Sequence, residues 1–272
     1  MGSRTRTPHR TRGLRRRGEG LALDSMDRLL ELTHRAEQSH FWFRGFRWYV
    51  RPEIARAVEG RPHPRLLDCG CGTGSNLAML ERFGDVYGFD LTWNGLRFAR
   101  ATGRRDIVRG SISHIPFASA QFDVVTAFDV LQCLPDAVEG ATVSELWRVL
   151  KPGGHAIVTA AALDILSGGH SILSEEVRRY TPRRLRSMFE AGGFQIERLT
   201  FAYATLVPVM LPVRAWQRWR SGGNLTAGEF DIAVPSAPIN ALFSAVVAVE
   251  AAALRVVNMP IGSSLLLHAI KP

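Results

Sequence analysis

Short apolar runs and apolar residues at helical spacing alternate along most of the chain. Runs typical of buried strands occupy residues 65–70, 86–91, 106–110, 122–131, 155–163, 194–203 and 263–272. Between them, apolar residues recur at helical spacing in segments 75–84, 93–103, 143–154 and 181–193. This alternation predicts an α/β fold in which a parallel sheet carries helices on both faces.

The pattern divides the 272 residues into five predicted segments. Residues 1–23 are rich in arginine and poor in apolar residues, so a disordered basic arm is predicted there. Residues 24–60 follow as an N-terminal helical cap, and the strands and helices of the core occupy 61–203. An apolar helical insert at 204–263 precedes the last strand, 264–272.

Charge and cysteine content limit the possible binding partners and the cellular compartment of the protein. The first 20 residues hold seven arginines and one acidic residue, a large part of the net charge of +9. The arm could contact anionic lipid or nucleic acid or have no partner, and the remaining chain indicates no specific nucleic-acid binding. Three cysteines without a Cys-x-x-Cys pair argue against a disulfide framework and a zinc site. We therefore expect a cytoplasmic protein without a metal.

A turn of alternate glycines follows the first predicted strand. Asp68, Gly70, Gly72 and Gly74 give the spacing D-x-G-x-G-x-G. Leu77 stands where the third glycine of a dehydrogenase turn would fall, and no Gly-Lys-Ser/Thr follows that would form a Walker loop. Glycines allow a ligand close to the backbone, and ligands of such sheets bind at the carboxyl ends of strands.

Asp90 ends the second predicted strand and is the second indication of a ligand. A carboxylate at that position can accept hydrogen bonds from both hydroxyls of a ribose, which suits an adenosine. The alternative role of Asp90 is that of a helix N-cap or turn residue.

Four segments in order resemble the motifs of class I S-adenosylmethionine-dependent methyltransferases, and most closely the bacterial group that includes quinone-biosynthesis methyltransferases. They are LLDCGCGTGSN, GFDLTWNGLRFA, GSISHIPFASAQFDVVTAFDVLQCLPD and LWRVLKPGGHAIV. The resemblance covers about residues 38–200 and the last strand. It implies a Rossmann-like sheet of seven mostly parallel strands with an antiparallel last strand, and S-adenosylmethionine as the cofactor.

The resemblance also implies roles for individual residues. The methionyl part of the cofactor would lie against Asp68, Gly70, Cys71, Gly72, Gly74 and Asn76. The ribose would lie at Asp90, the adenine at Leu91, Thr92, Ser111 and Ile112, and the sulfonium at Phe128 and Asp129. This chain has Ser111 where members often have an acidic residue, and Leu131-Gln132-Cys133 where they often read Leu-Glu-His.

The segment SHFWFRGFRWYV, residues 39–50, resembles the aromatic-arginine clusters of the same group. A helix bearing Phe41, Trp42 and Phe43 could close over the adenosine, while Arg44 or Arg47 meets the carboxylate of the cofactor. The alternative is a packing helix whose arginines extend to solvent.

The predicted reaction is methyl transfer, most simply to a hydroxyl oxygen of a hydrophobic or glycosylated small-molecule metabolite. A base could remove the hydroxyl proton, and His170 in the loop SGGHSILSEE is the first candidate, ahead of Tyr180 and Glu176. The alternative is a cofactor-binding protein of the same fold that catalyses a rearrangement or acts as a partner subunit. A nicotinamide oxidoreductase is a more distant alternative.

The insert at 204–263 is long for a connection between two strands. Residues 239–258 predict a helix, in which Glu250 and Arg255 argue against a membrane span. One hypothesis is that the insert covers a pocket for a hydrophobic or lipid-linked acceptor and rests on a membrane surface through Trp216 and Trp219. The alternative is a set of extra helices packed on the sheet edge, or a homodimer contact.

Overall fold

A computed structural model describes residues 30–168, 171–172, 174–220 and 233–272 of the chain. The whole basic arm predicted at 1–23, residues 24–29 of the predicted cap, and the candidate base His170 therefore lie outside the described residues.

The seven predicted strands form one sheet. They are β1 (Arg65–Cys69), β2 (Asp85–Asp90), β3 (Ile107–Arg109), β4 (Phe122–Phe128), β5 (Leu150–Ala161), β6 (Gln195–Ala202) and β7 (Ser264–Ile270). Their order is β3-β2-β1-β4-β5-β7-β6, with β7 antiparallel to both of its neighbours. The predicted mixed sheet with an antiparallel last strand is confirmed. The strand order reverses between β1 and β4, which is where ligands of such sheets bind.

Seven α-helices connect and flank the strands in the described part of the chain. They are α1 (Phe41–Ala57), α2 (Ser75–Leu80), α3 (Trp93–Ala101), α4 (Asp136–Val149), α5 (Pro182–Ala191), α6 (Val207–Arg220) and α7 (Ala237–Ala253). Residues 30–36 are also helical. The helix expected to end in a Pro-Gly-Gly turn instead ends at Val149. Strand β5 begins at the next residue, because Leu150 already pairs with Phe122 and a register shift takes up the residues that follow.

Two apolar layers sandwich the sheet. One packs α4 and α5 against one face, and the other packs α1, α2 and α7 against the opposite face. Helix α7 lies close against α1 at Gly45, where a Cβ would come within 2.3 Å of Val247 Cγ1. The close packing therefore requires a residue without a side chain. At its start, α7 is joined to α1 by a hydrogen bond from the amide of Phe41 to Asn240 Oδ1, 2.8 Å long. None of the described helices combines the length and the apolar composition needed to cross a membrane.

A buried carboxylate joins α1 to the antiparallel strands. Glu53 is only 1% exposed and accepts hydrogen bonds from Arg198 Nη1 at 2.5 Å, Arg56 Nη1 at 2.9 Å and His268 Nδ1 at 2.9 Å. Burial alone would raise the pKa of Glu53, but the hydrogen bonds from His268 and Arg198 outweigh it and hold the pKa at about 2. The ionised carboxylate therefore stabilises the packing of α1 on β6 and β7.

We expect Glu53→Gln to lower the free energy of unfolding at pH 7 by about 2 to 4 kcal/mol, because it removes one member of a buried charged network. Because the pKa of Glu53 is lower in the folded protein, its contribution is complete above pH 4.5 and is lost as the pH falls toward 2. The control Glu59→Gln, on the exposed end of the same segment, should change stability by less than about 0.5 kcal/mol. Urea denaturation at pH 7 and pH 3 measures both, and equal losses in the two variants would contradict this role.

Candidate functional site

The glycine turn between β1 and α2 has a backbone that only glycine adopts easily. The φ angles of Gly70, Gly72 and Gly74 are +81°, +50° and +81°. A Cβ on Gly70 would lie 2.6 Å from Val130 Cγ2, so this position is also closed by packing. A Cβ on Gly72 would meet only Leu30, at 3.6 Å. The open side of Gly72 therefore leaves room for a ligand against the backbone.

The end of β2 holds this turn in place. The amides of Gly70 and Cys71 both donate to the carbonyl oxygen of Phe89, each at 2.9 Å. Asp90 Oδ2 accepts from the amide of Gly72 at 2.8 Å, and Asp90 Oδ1 accepts from the amide and the hydroxyl of Thr92 at 2.7 and 2.5 Å. Asp90 thus acts as a turn residue, the alternative raised for it. A carboxylate offers about four acceptor sites, so a ribose could bind both oxygens only if the Thr92 hydroxyl turned away.

Asp68 is a buried acid beneath the turn. Its Oδ1 accepts a hydrogen bond from Thr126 Oγ1 at 2.6 Å, and its Oδ2 is buried without a partner. Burial, together with the nearby charge of Asp90, raises the pKa of Asp68 to about 7, although the bond from Thr126 acts in the opposite direction. A cationic group beside the turn would supply the partner that Oδ2 lacks.

A cavity of about 310 Å³ opens above the turn. Four parts of the fold line it. They are the helical segment before α1 (Leu30, Thr33, Glu37, His40), α1 itself (Trp42, Phe43, Phe46, Arg47), the glycine turn with the start of α2, and the ends of β4 and β5 with the loop after β5. Met210 and Arg214 of α6, together with Ser263 and Ser264 at the start of β7, complete the lining. The cavity is thus mostly apolar on the α1 side and polar at the strand ends.

The cavity brings together part of the predicted cofactor set: Trp42, Gly70, Cys71, Gly72, Asn76, Phe128 and Asp129. Asp68, Gly74 and Asp90 lie in or behind the turn and do not line the cavity. Leu91, Thr92, Ser111 and Ile112 lie beyond Asp90, toward β3, and are also absent from the lining.

Of the two candidate arginines, the structure brings Arg47 and not Arg44 to the cavity. Arg44 is exposed and lies over the ring of Trp48, 5.4 Å from its centre. The reason is helical rotation, since Phe43 and Arg47 are one turn apart on the inward face of α1, whereas Arg44 and Trp48 share the neighbouring outward face. Of the two candidates, Arg47 is therefore the one that the fold places against a ligand in the cavity.

Asp129 lies at the strand end that faces the cavity. Its φ of +55° is in the left-handed region, and Thr159 holds it by a hydrogen bond from Oγ1 to Asp129 Oδ1 at 3.1 Å. Asp129 is exposed to solvent at the cavity, although the protein packed around its carboxylate partly desolvates it. This desolvation raises the pKa of Asp129 to about 6, the bond from Thr159 lowers it, and the charge of Glu176 raises it further.

The other candidate bases, Glu176 and Tyr180, differ from Asp129 in their burial and in their hydrogen-bond partners. The carboxylate of Glu176 is 6% exposed and is held by Arg179 through contacts of 3.1 and 3.0 Å to Nε and Nη2. Tyr180 is fully buried, does not line the cavity, and donates its hydroxyl hydrogen bond to Glu139. Burial raises the pKa of Tyr180 above its ordinary range. Arg179 thus holds Oε2 of Glu176, while Oε1 accepts a long hydrogen bond of 3.5 Å from Ser174 Oγ; Tyr180 has a packing role.

Sequence reasoning missed the segment that closes the turn from the N-terminal side. Glu37 accepts a hydrogen bond from Thr73 Oγ1 at 2.6 Å, and Arg47 donates to the backbone oxygen of Glu37 at 2.9 Å. His40 is 4% exposed and caps α1 by accepting from the amide of Trp42 at 3.1 Å. Burial lowers the pKa of His40. A polar Ser-His pair directly before an aromatic helix was the only signal in the sequence.

Known proteins match the same core. A family model described as a methyltransferase domain matches residues 67–158. The malonyl-(acyl-carrier protein) O-methyltransferase of Herminiimonas arsenicoxydans is 31% identical over 62% of this chain and 69% of its own length. The ubiquinone biosynthesis O-methyltransferase of Bordetella avium is 31% identical over 50% of this chain and 57% of its own length. Several curated relatives are matched over only about three fifths of their length.

The fold has solved counterparts. One is the complex between the Haloferax volcanii Trm112 methyltransferase activator and a methyltransferase, which matches with a TM-score of 0.59 and 18% identity over 92% of this chain and 97% of that chain. At that identity the likeness establishes the fold alone. Sheet order, glycine turn and strand-end carboxylates define a Rossmann-like nucleoside-binding protein. The sequence matches make it more specific: the chain belongs to the class I S-adenosylmethionine-dependent methyltransferases.

We expect Asp90→Asn to weaken S-adenosylmethionine binding by about 30- to 150-fold, because a charged acceptor for the ribose and the brace of Gly72 are lost together. The control Asp85→Asn changes an exposed carboxylate at the opposite end of β2 and should leave the affinity unchanged. Isothermal titration calorimetry measures both. An Asp90→Asn variant with wild-type affinity would show that Asp90 has no part in cofactor binding.

Proposed function

We propose that the protein transfers the methyl group of S-adenosylmethionine to a hydroxyl oxygen of a hydrophobic or glycosylated small molecule. The observation that carries the proposal is the cavity itself, in which the glycine turn and Asp129 share one space with Trp42, Phe43 and Met210. Such a space can hold a charged cofactor at its polar end and an apolar acceptor at the other. Three reduced cysteines in the structure are consistent with a cytoplasmic setting.

The residues of the polar end fit the cofactor. Behind the turn, Asp68 Oδ2 is a buried acceptor without a partner, so its charge would favour an ammonium group at this end of the cavity, and Arg47 lines the cavity itself, which suits a carboxylate. Gly72 leaves the space that a Cβ would fill. When bound, S-adenosylmethionine supplies a methyl group activated by a positively charged sulfur.

Within this proposal Asp129 accepts the proton of the acceptor hydroxyl. A carboxylate with a pKa of about 6 is ionised at pH 7 and remains a useful base. Thr159 fixes its orientation, and the left-handed backbone at Asp129 directs the side chain into the cavity. His40 is less suited, because its Nδ1 already accepts from the amide of Trp42 and its other nitrogen then carries the proton. His170 remains a second candidate for the base.

The apolar side of the cavity supports an apolar acceptor. Phe43 and Phe46 of α1, Leu166 of the loop after β5 and Met210 of α6 all line it. Removing water from this space strengthens the electrostatic contacts of the reacting groups. The insert takes part through α6, whereas α7 packs on α1 and Phe243 stands 5.0 Å from Phe41.

The outer surface of α6 supports contact with a membrane surface. Trp216 and Trp219 are 54% and 81% exposed, and Val209 and Val213 are also exposed. Arg220 lies over the ring of Trp216, 5.3 Å from its centre, so cationic and aromatic groups occur together as in interfacial helices. An acceptor carried by lipid could then enter the cavity beneath α6.

We expect Asp129→Asn to lower kcat by about 100-fold or more, since removing a general base commonly costs that much. Asparagine tolerates the left-handed backbone, so the fold should be kept. The wild-type rate should fall as the pH drops through about 6, where Asp129 takes up a proton, and the variant should lack this limb. Formation of S-adenosylhomocysteine with a panel of hydroxylated apolar acceptors measures the rate. The control is Asp164→Asn, which changes an exposed carboxylate near the cavity. An unchanged pH profile in Asp129→Asn would exclude Asp129 as the base.

Replacing residues 206–220 by a Gly-Ser linker should preserve S-adenosylmethionine binding and abolish transfer to the native acceptor, because Met210 and the rest of the apolar cover are removed. A milder variant, Met210→Ala, should raise KM for apolar acceptors with little change in cofactor affinity. The matched control Met188→Ala lies in α5, away from the cavity. Full turnover by the linker variant would refute the hypothesis that residues 206–220 cover the acceptor side of the cavity. Cofactor binding without any turnover in the wild type would favour a non-transfer role.

A further inference from the structure

A second cluster of ligating side chains lies apart from the cavity, on the sheet face that α1 and α7 cover. His155 of β5, Glu197 of β6 and His268 of β7 converge there, although the sequence separates His155 and His268 by 113 residues. Nδ1 of His155 is 2.9 Å from Nε2 of His268. Glu197 Oε2 is 3.3 Å from His268 Nε2 and 3.8 Å from His155 Nδ1. One possible ligand atom from each of three adjacent strands thus lies within 3.8 Å of the other two.

Strand register creates this convergence. His268 pairs with Ile157 of β5, so His155, two residues earlier, projects from the same face. On the other side, the pairing of β6 with β7 shifts between Ile196 and Arg198, which inserts one extra residue opposite His268. A bulge of this kind re-aims a side chain, and here it places Glu197 on the face of the two histidines.

The distances match a metal site. A tetrahedral zinc ion with bonds of about 2.0–2.1 Å separates its ligand atoms by about 3.3 Å. The three separations in the cluster, 2.9, 3.3 and 3.8 Å, lie around that value. Two imidazole nitrogens and one carboxylate are a frequent ligand set for zinc and related divalent ions.

Glu53 prepares His268 for this role. The Glu53 carboxylate accepts from His268 Nδ1 at 2.9 Å, so this nitrogen carries the proton and Nε2 presents its lone pair toward His155 and Glu197. A carboxylate behind a ligating histidine is the usual outer partner in metal sites. Arg56 and Arg198 are bound to Glu53, so the two carboxylates balance two guanidinium groups before a metal enters.

We propose that His155, Glu197 and His268 form a binding site for a divalent transition metal, with zinc as the best match. The histidines are 12% and 3% exposed and Glu197 is 42% exposed, so the site is built into the sheet and open on the Glu197 side. A neighbouring cavity of about 300 Å³, lined by Arg198, Arg255 and Asn258, gives access for a water or an anionic fourth ligand. On metal binding, the proton of His155 Nδ1 passes to water and Nε2 gains one, so the ring stays neutral. The bound ion connects β5, β6 and β7. This proposed site differs from the expectation of no metal, which rested on the spacing of the cysteines.

Zinc titration of the full-length, chelator-stripped protein tests the site. We expect one equivalent of zinc to bind by calorimetry, and Glu197→Gln and His155→Asn to weaken that binding at least 10-fold. His114→Asn, which changes an exposed histidine outside the cluster, is the matched control and should bind as the wild type does. Cofactor affinity, measured in each variant, reports that the fold is intact.

A stability readout completes the test. Zinc at 100 times its Kd should raise the melting temperature of the wild type and of His114→Asn, because it binds the folded state, and should raise that of Glu197→Gln by about half as much or less at the same concentration. Absence of zinc binding in the wild type would overturn the proposal. Equal zinc affinity in Glu197→Gln, His155→Asn and the wild type would overturn it as well.

Discussion

The candidate cofactor site depends on one constraint, the attachment of the glycine turn to the end of β2. A single carbonyl oxygen, that of Phe89, accepts from two successive amides, and the Asp90 carboxylate accepts from a third. These bonds keep three residues at positive φ, a conformation that side chains larger than glycine resist. The cavity exists because the backbone turns away from the sheet there. Asp90 therefore holds the turn through Gly72, and in the proposed cofactor complex it would also receive the ribose.

Local patterns made much of the fold predictable. Continuous apolar runs such as 122–131 are typical of strands buried on both faces, and β4 is buried throughout. The glycine spacing and Asp90 were readable because a turn and a strand end are determined within a few residues. The helix predicted over 181–193 begins where expected for the same reason, because Thr181 caps it by accepting from the amide of Arg184 at 3.2 Å. Where a residue acts with its own neighbours, sequence is sufficient.

Features that depend on packing between distant segments were not readable. The sequence could not distinguish Arg44 from Arg47, because the rotation of α1 is set by its contacts with α7 and the sheet. It placed Glu176 among the candidate bases but could not show that Arg179 pairs with Oε2 of that carboxylate. The expectation of no metal considered cysteines, whereas the convergence of His155, Glu197 and His268 requires an antiparallel strand between two others and a bulge. A register shift leaves no reliable mark in the sequence.

The two acids of the cavity region, Asp68 and Asp129, both have a raised pKa, which relates cofactor binding to the proposed proton transfer. Loss of hydration raises the pKa of both, to about 7 and about 6, so ionising either carboxylate near neutral pH costs free energy, and Asp68 is only partly ionised there. A cation in the cavity offsets that cost by stabilising both carboxylates, and by linkage the ionised carboxylates stabilise the bound cation equally. The charge of the proposed cofactor would thus lower the pKa of Asp129 as it binds. The apolar cover from α1 and α6 strengthens this coupling, because the same charges interact more strongly when water is removed. In the proposed mechanism, affinity for the cofactor and ionisation of Asp129 would therefore follow from one electrostatic arrangement.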